Sequence, residues 1–258
     1  MKLRFIGSGS AFTVGANNYQ SNMILESNGK NLLIDCGTDA KIALFELGYT
    51  YKDIDALYVS HLHADHVGGI EWLAYTHYFD EKLKKPALFL CDLIENDLWE
   101  KVLVGGLRSV DVKNPKLSTY FKLKSVKKNS SFIWEDTRFY IVPTIHVNAK
   151  YNQMPSYGLF FKADGKNVFI TTDSQLCPEQ IGDFLIKADL IFHDCETMKV
   201  KTGVHAHYDE LKKLPEEIKS KMWLYHYNPG KLPNAKKDGF KGFVKKGQLF
   251  NFRDQRTL

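Results

Sequence analysis

The chain has 258 residues, 35 Lys and Arg against 30 Asp and Glu, and a formal charge of +5 with His neutral. Apolar residues at 44% and charged residues at 25% are the balance of a globular protein, which excludes a mainly disordered chain, a collagen or a coiled-coil rod. No apolar run approaches the ~20 residues that span a bilayer. The opening MKLRFIGSGSAF reads as a strand and lacks an export signal's apolar centre, so no membrane partner and a cytoplasmic location are expected. Cys36, Cys91, Cys177 and Cys195 form no CxxC pair and read as free thiols. Thirty of the basic residues are Lys and five are Arg. Spread along the chain, Lys is a solvated surface charge with some bias towards anionic substrates, not the planar fork that grips phosphate bidentately.

The elements in chain order begin with a strand at Leu3–Ile6, broken by Gly7-Ser8-Gly9-Ser10. Residues 23–26 and 31–34 are strands around Ser27-Asn28-Gly29-Lys30, whose Asn-Gly pair predicts a hairpin. Asp35-Cys36-Gly37 ends the second of these, and a helix over residues 40–47 stops at Gly48. Residues 54–59 predict a buried strand that runs into Ser60-His61-Leu62-His63-Ala64-Asp65-His66, followed by a helix over 67–79. A strand at 86–91 and a helix at 93–104 come next, then a basic, solvated edge at 122–129. Residues 139–143 form a strand leading to His146. A second hairpin joins 158–162 to 167–171 and ends at Thr172-Asp173-Ser174. The remaining elements are a strand at 188–192 ending in His193-Asp194-Cys195-Glu196, a helix at 210–221, and a strand at 222–225 ending at His226. No repeat or Pro/Gly/Ser-rich linker divides the chain, so residues 1–258 read as one domain of mixed strands and helices.

Five apolar strands thus end in residues of metal-ligand type, and strand ends on one sheet edge converge in space. Eight of the nine His lie at such ends or in His205-Ala206-His207; His77 is the exception and reads as a helix-surface residue. His61-x-His63-x-Asp65-His66 is the sharpest signal, because imidazole and carboxylate together suit zinc and similar divalent metals. Residues 61 and 63 can face one ion while 65 and 66 face another. Trp72, Tyr75, Tyr78 and Phe79 read as core and interface residues, and the aromatic stretch 151–157 as the mouth of a pocket.

With Ser60 to His66 followed by Val67-Gly68-Gly69, and with Gly7-Ser8-Gly9-Ser10-Ala11 and Asp35-Cys36-Gly37, the sequence resembles the metallo-β-lactamase fold superfamily over nearly its whole length. The likeness is to its ribonuclease Z-like phosphodiesterase branch. Within that branch, Gly69 to Ala74 and the ending from Gly242-Phe243 to Phe250 are most similar to phage-type anti-Pycsar cyclic nucleotide phosphodiesterases. The resemblance implies an α/β fold, a four-layer αβ/βα sandwich, holding two divalent ions, zinc foremost with manganese as the alternative. His61, His63 and His146 would hold the first ion, Asp65, His66 and His226 the second, and Asp173 both. A hydroxide activated between the ions would attack phosphorus. Asp65 would also shuttle a proton, and His205 paired with Asp194 would protonate the leaving oxygen, with His207 and Glu196 as the alternatives.

The function expected is hydrolysis of 3′,5′-cyclic nucleotides, pyrimidine ones included, to nucleoside monophosphates, in a homodimer that counters antiphage signalling. The alternative is a ribonuclease Z that trims tRNA 3′ ends. The scarcity of Arg and the lack of an extended arm weigh against it, and no stable nucleic-acid partner is expected. A metal-sequestering or interaction protein with a dead site is disfavoured by the complete ligand set.

Overall fold

In a computed structural model, which describes residues 1–15 and 17–254, the strands sort into two seven-stranded sheets. The first contains β1 (Lys2–Phe5), β2 (Met23–Ser27), β3 (Lys30–Ile34), β4 (Ala56–Val59), β5 (Ala87–Cys91) and β6 (Lys122–Val126). The second contains β7 (Ser131–Trp134), β8 (Thr137–Asn148), β9 (Gln153–Ala163), β10 (Lys166–Ile170), β11 (Leu190–Asp194), β12 (Met222–Tyr225) and β13 (Gly242–Phe243). The last strand, β14 (Leu249–Asn251), returns to the first sheet beside β1, giving the orders β14-β1-β2-β3-β4-β5-β6 and β13-β12-β11-β10-β9-β8-β7.

Local chemistry explains the turns. Asn28 and Gly29 have φ of 50° and 74°, the primed turn that matches strand twist, and so join β2 to β3 in antiparallel register. From β3 to β6, and from β10 to β13, neighbouring strands are parallel. Their C-terminal ends therefore lie on common edges, where polar residues from distant stretches meet.

The helices are α1 (Ala40–Glu46), α2 (Ala64–Val67), α3 (Ile70–Tyr78), α4 (Asp92–Asp97), α5 (Val104–Leu107), α6 (Leu117–Tyr120), α7 (Pro178–Lys187), α8 (Tyr208–Leu211) and α9 (Glu216–Lys219). Several differ from the sequence reading. The helix expected over 67–79 starts earlier and is split at Gly68-Gly69. That pair crosses Cys36 and Gly37 so closely that a side chain on Gly69 would strike the Gly37 carbonyl. The helix expected over 93–104 continues through a π-helical stretch, Leu98–Leu103, into α5. The helix expected over 210–221 is two short ones, because Pro215 lacks the N–H that would carry the first into the second. β7 was not foreseen. The strand at 188–192 lies two residues later, at Leu190–Asp194. The basic segment at 122–129 supplies β6, whose Lys-bearing outer position protects a sheet edge.

His77 is a further correction. It is buried, not on the surface, because Ile70, Leu73, Ala74 and His77 form the i, i+3, i+4, i+7 face that α3 turns inward. Its Nδ1 donates to the Leu73 carbonyl at 3.1 Å. Of the neighbouring aromatics, Trp72, Tyr75 and Tyr78 pack partly buried against the core, whereas Phe79 is exposed.

One apolar core lies between the sheets. Phe5 of β1 meets Phe192 of β11 and Tyr225 of β12, each at a ring-centroid distance of 5.3 Å, and Phe192 meets Phe250 of β14 at 4.8 Å. A second cluster, with Ile191 of β11, Leu224 of β12 and Ile181 and Leu185 of α7, covers the outer face of the second sheet. Ile191 belongs to this outer cluster and Phe192 to the inner one, as the alternation of a strand with both faces buried requires. Phe192→Ala should remove about 3–5 kcal/mol of stability, measured by urea denaturation; a loss below about 1 kcal/mol would show that the two sheets are not joined through this ring.

Candidate metal centre

The strand ends bring the sequence-predicted ligands together. His61, His63, His146 and Asp173 offer ligand atoms that all lie within 4.8 Å of one another, and so do Asp65, His66, Asp173 and His226. Asp173 belongs to both groups. His61, Asp65 and His66 follow β4, His146 lies near the end of β8, Asp173 follows β10 and His226 follows β12. Two of the connecting backbones leave their strands in the left-handed region, Thr172 at φ 55° and His226 at φ 60°. That conformation is uncommon for a β-branched residue and costs about 1–3 kcal/mol. Thr172 is held there with its hydroxyl 2.9 Å from Ser156 Oγ.

Outer hydrogen bonds set which ring nitrogens face inward. Ser60 Oγ donates to Asp35 Oδ2 at 2.7 Å, which leaves it to accept from His61 Nδ1 at 3.0 Å. His66 Nδ1 donates to Asp35 Oδ2 at 2.7 Å, and His146 Nδ1 to the Val204 carbonyl at 2.8 Å. His61 and His146 thus carry their protons outside and turn a bare Nε2 inward, while Asp35 fixes the orientation of the His66 ring. His61 Nε2 and His146 Nε2 then lie 3.2 and 2.9 Å from His63 Nδ1. One proton cannot serve three ring nitrogens, but one cation can. In the second group, His66 Nε2 lies 3.2 Å from Asp65 Oδ2 and 3.3 Å from Asp173 Oδ2, yet both it and Asp173 Oδ1 are buried without a hydrogen-bond partner. His226 Nε2 lies 3.3 Å from the same two carboxylates. This is the donor set and crowding that suit a pair of divalent ions.

The electrostatics agree. Burial, reinforced by His66, holds His61 well below the usual imidazole range, and burial holds His146 down at about 4, so both rings are neutral and ready to coordinate. Burial opposes charge on His66 and His226 as well, but Asp173 and neighbouring carboxylates outweigh it and raise both. Against its own burial, Asp173 is held well below the carboxylate range by His226 and His66.

Beside this cluster, His205 Nδ1 lies 2.7 Å from Asp194 Oδ2 and 3.9 Å from Asp173 Oδ2. Burial would lower the His205 pKa, but the Asp194 carboxylate raises it above the usual value. His207 does something else. Its Nδ1 accepts from the Asp209 backbone N–H at the start of α8, and its Nε2 donates to the Met198 carbonyl. Glu196 accepts from the Thr202 backbone N–H, 3.0 Å from Oε2. The cleft over the cluster has a volume of about 320 Å³. Protein side chains at its wall include Phe12, His63, Asp65, Asp173, Glu196, His205, His226 and Asn228.

The model of the family described as Anti-Pycsar protein Apyc1 matches residues 1–250. The chain belongs to the Anti-Pycsar Apyc1 family. It is 37% identical to an Anti-Pycsar protein Apyc1 from Paenibacillus harenae over 88% of this chain and 90% of the relative, and 34% identical to one from Bacillus phage 010DV004 over 97% and 98%. Among solved structures, the metallo-β-lactamase fold protein YhfI from Bacillus subtilis gives a TM-score of 0.74 at 20% identity, covering 96% of this chain and 98% of that one. The short form of human tRNase Z gives 0.70 at 16% identity, covering 97% and 99%. The chain thus has the α/β metallo-β-lactamase sandwich that its sequence resembles.

Some residues take places the sequence did not suggest. His193 stays outside the cluster, with Nδ1 donating to the Asp194 carbonyl at 2.7 Å, because alternation along β11 turns it away from the face that presents Asp194. The stretch 151–157 does not line this cleft: Tyr151 is exposed elsewhere and Tyr157 is buried in the core, where its carbonyl accepts from Tyr58 Oη at 2.7 Å. Among the described residues, Phe12 is the Phe, Tyr or Trp side chain at the cleft wall. Two supporting residues received no role from sequence, Asp35 and Ser60. The signal that could have found Asp35 is an acid at a strand end on the same edge as the His cluster. Asp35→Asn should weaken metal binding by about 10–100-fold, measured by competition with a chelator; an unchanged affinity would separate Asp35 from the orientation of His66.

Proposed function

We propose that this protein is a dinuclear metal-dependent phosphodiesterase. It opens 3′,5′-cyclic nucleotides, cyclic pyrimidine nucleotides included, to nucleoside monophosphates and so counters cyclic-nucleotide antiphage signalling. The observation that carries the reading is the pair of donor groups meeting at Asp173 with the His205–Asp194 pair beside them. The names of the curated relatives, Anti-Pycsar protein Apyc1, support the biological half.

His61, His63 and His146 would hold one ion, Asp65, His66 and His226 the other, and Asp173 both. Zinc best suits these donors and manganese is the alternative. Bound there, the ions would supply Lewis acidity, polarising the phosphoryl oxygens and making water acidic enough to attack. The remaining work falls to side chains. Asp65, at the cleft wall, receives the proton that the attacking water gives up. Water oxygen bonds to phosphorus as the bond from phosphorus to the ribose O3′ breaks. His205 gives its Nε2 proton to that departing oxygen. Asp194 holds the opposite nitrogen at 2.7 Å, fixing the tautomer and raising the ring's pKa so that the protonated form is favoured. His207, engaged at the start of α8, has a structural role in this reading.

Incubation of the zinc- or manganese-loaded protein with cyclic mononucleotides and with a tRNA precursor, followed by chromatography, tests the assignment. Nucleoside monophosphates should appear from the former; cleavage of the precursor alone would establish the ribonuclease Z reading instead. His205→Ala should lower kcat by about 10²–10⁴-fold with metal content unchanged by elemental analysis. Asp173→Ala should lose bound metal, and retention of both ions would refute its shared position.

A further inference from the structure

The donor cluster and the His205–Asp194 pair address only the phosphate of a substrate, and none of these groups explains how a base would be held. Phe12 lines the same cleft as His63, Asp65, Asp173 and His205, and the residue is 70% exposed. The loop that carries it is tied directly to the loop that carries His226. The Ser8 carbonyl accepts from the His226 backbone N–H at 2.8 Å, and the Ser10 N–H donates to the Tyr227 carbonyl at 3.0 Å. Farther along, Thr13 N–H donates to the Ser10 carbonyl at 3.0 Å, turning the chain at Phe12. Ser21 Oγ donates to the Gly9 carbonyl at 2.8 Å, and the Asn228 side-chain amide reaches Ser10 Oγ at 3.4 Å. Gly9 itself lies so close to Thr13 that any side chain there would collide with it. The backbone that carries Phe12 is therefore anchored beside the loop of His226, while the residue itself stays exposed.

A small-molecule cleft of this size is ordinarily apolar with a few polar groups, and Phe12 is the large apolar side chain among those that line it. Stacking on an aromatic face is the general way to bind a base without base-pair readout. We propose that Phe12 is the stacking platform for the nucleobase, so that the cleft favours cyclic nucleotides over cyclic phosphates that lack a base. The inference rests on the phosphodiesterase reading above.

Steady-state kinetics on two substrates test it: a 3′,5′-cyclic nucleotide, and the same cyclic ribose phosphate with hydrogen in place of the base. For the parent protein, KM should be about tenfold lower on the nucleotide. Phe12→Ala should raise the nucleotide KM by about that factor, leave kcat within about threefold, and change the base-free KM by less than about twofold. Phe12→Tyr, which keeps the ring, should restore the parent KM. An equal rise in KM on both substrates, no rise on either, or a loss confined to kcat would overturn the assignment. So would a KM rise that follows a shift in oligomeric state on gel filtration, which would place the ring at a subunit contact. Turnover of both substrates by the parent with Phe12→Ala indifferent to the base overturns only the role of Phe12. Turnover of neither by the metal-loaded parent overturns the phosphodiesterase reading and this inference with it.

Discussion

A single carboxylate, fully enclosed and facing five imidazoles, is the constraint around which the rest is arranged. Asp173 Oδ2 lies 3.3 Å from His66 and His226 and 3.7 Å from His61. Burying such a charge in an apolar interior is strongly unfavourable unless it is paired. Here the pairing comes from His66 and His226, which the same carboxylate favours in their charged form, while the outer nitrogens of His66, His61 and His146 are held by Asp35, by Ser60 and by the Val204 carbonyl. The outer partners therefore decide what the inner atoms can do. A centre described only by its ligands would omit the groups that fix the tautomers.

The scaffold absorbs the cost of this arrangement. Two strands reach the centre through residues in left-handed backbone, Thr172 and His226, and Asp35 at φ 62° adds a third at the end of β3. Such strain persists only when surrounding bonds over-determine it. Cross-sheet contacts supply that support close to the site: Tyr58 Oη donates to the Tyr157 carbonyl, and the Tyr157 N–H donates to the Ser60 carbonyl at 3.1 Å. The same bonds that join the two sheets hold the His61 segment in place.

The loop between β11 and α8 shows how one short sequence serves two ends. In His205-Ala206-His207, Ala206 is buried in the outer core and the two rings point to different tasks. His205 turns to Asp194 at the cleft, while His207 closes the start of α8 and receives the Asp209 N–H. Between Glu196 and His205 the loop is pinned by Asn228 Oδ1 on the Thr197 N–H and by Glu196 on the Thr202 N–H. That carries Val204 to His146 and His205 to the cleft without a helix or strand.

Much of this was legible along the chain. Residue order alone carried the hairpin at Asn28-Gly29, the apolar run of β4, and the placement of His61, His63, Asp65, His66, Asp173 and His226 at strand ends. These signals are local: turn chemistry, alternation and a rare cluster of ligand types. The parallel pairing that collects them at a common edge agrees with what those signals suggest. What local signals cannot carry is direction and partnership across long separations. His205 and His207 differ by two positions in the same kind of segment, and only the position of Asp194, eleven residues away, distinguishes them. His77 looks like a surface residue until α3 is docked, and Tyr157 looks like a pocket residue until the first sheet packs against its strand. Phe12 reaches the cleft because its loop is bonded to residues more than two hundred positions later. The sequence determined which chemical groups were available and which strands would present them. The tertiary structure decided which nitrogen faces which oxygen, because hydrogen bonds and close packing act over a few ångströms of space whatever the distance along the chain.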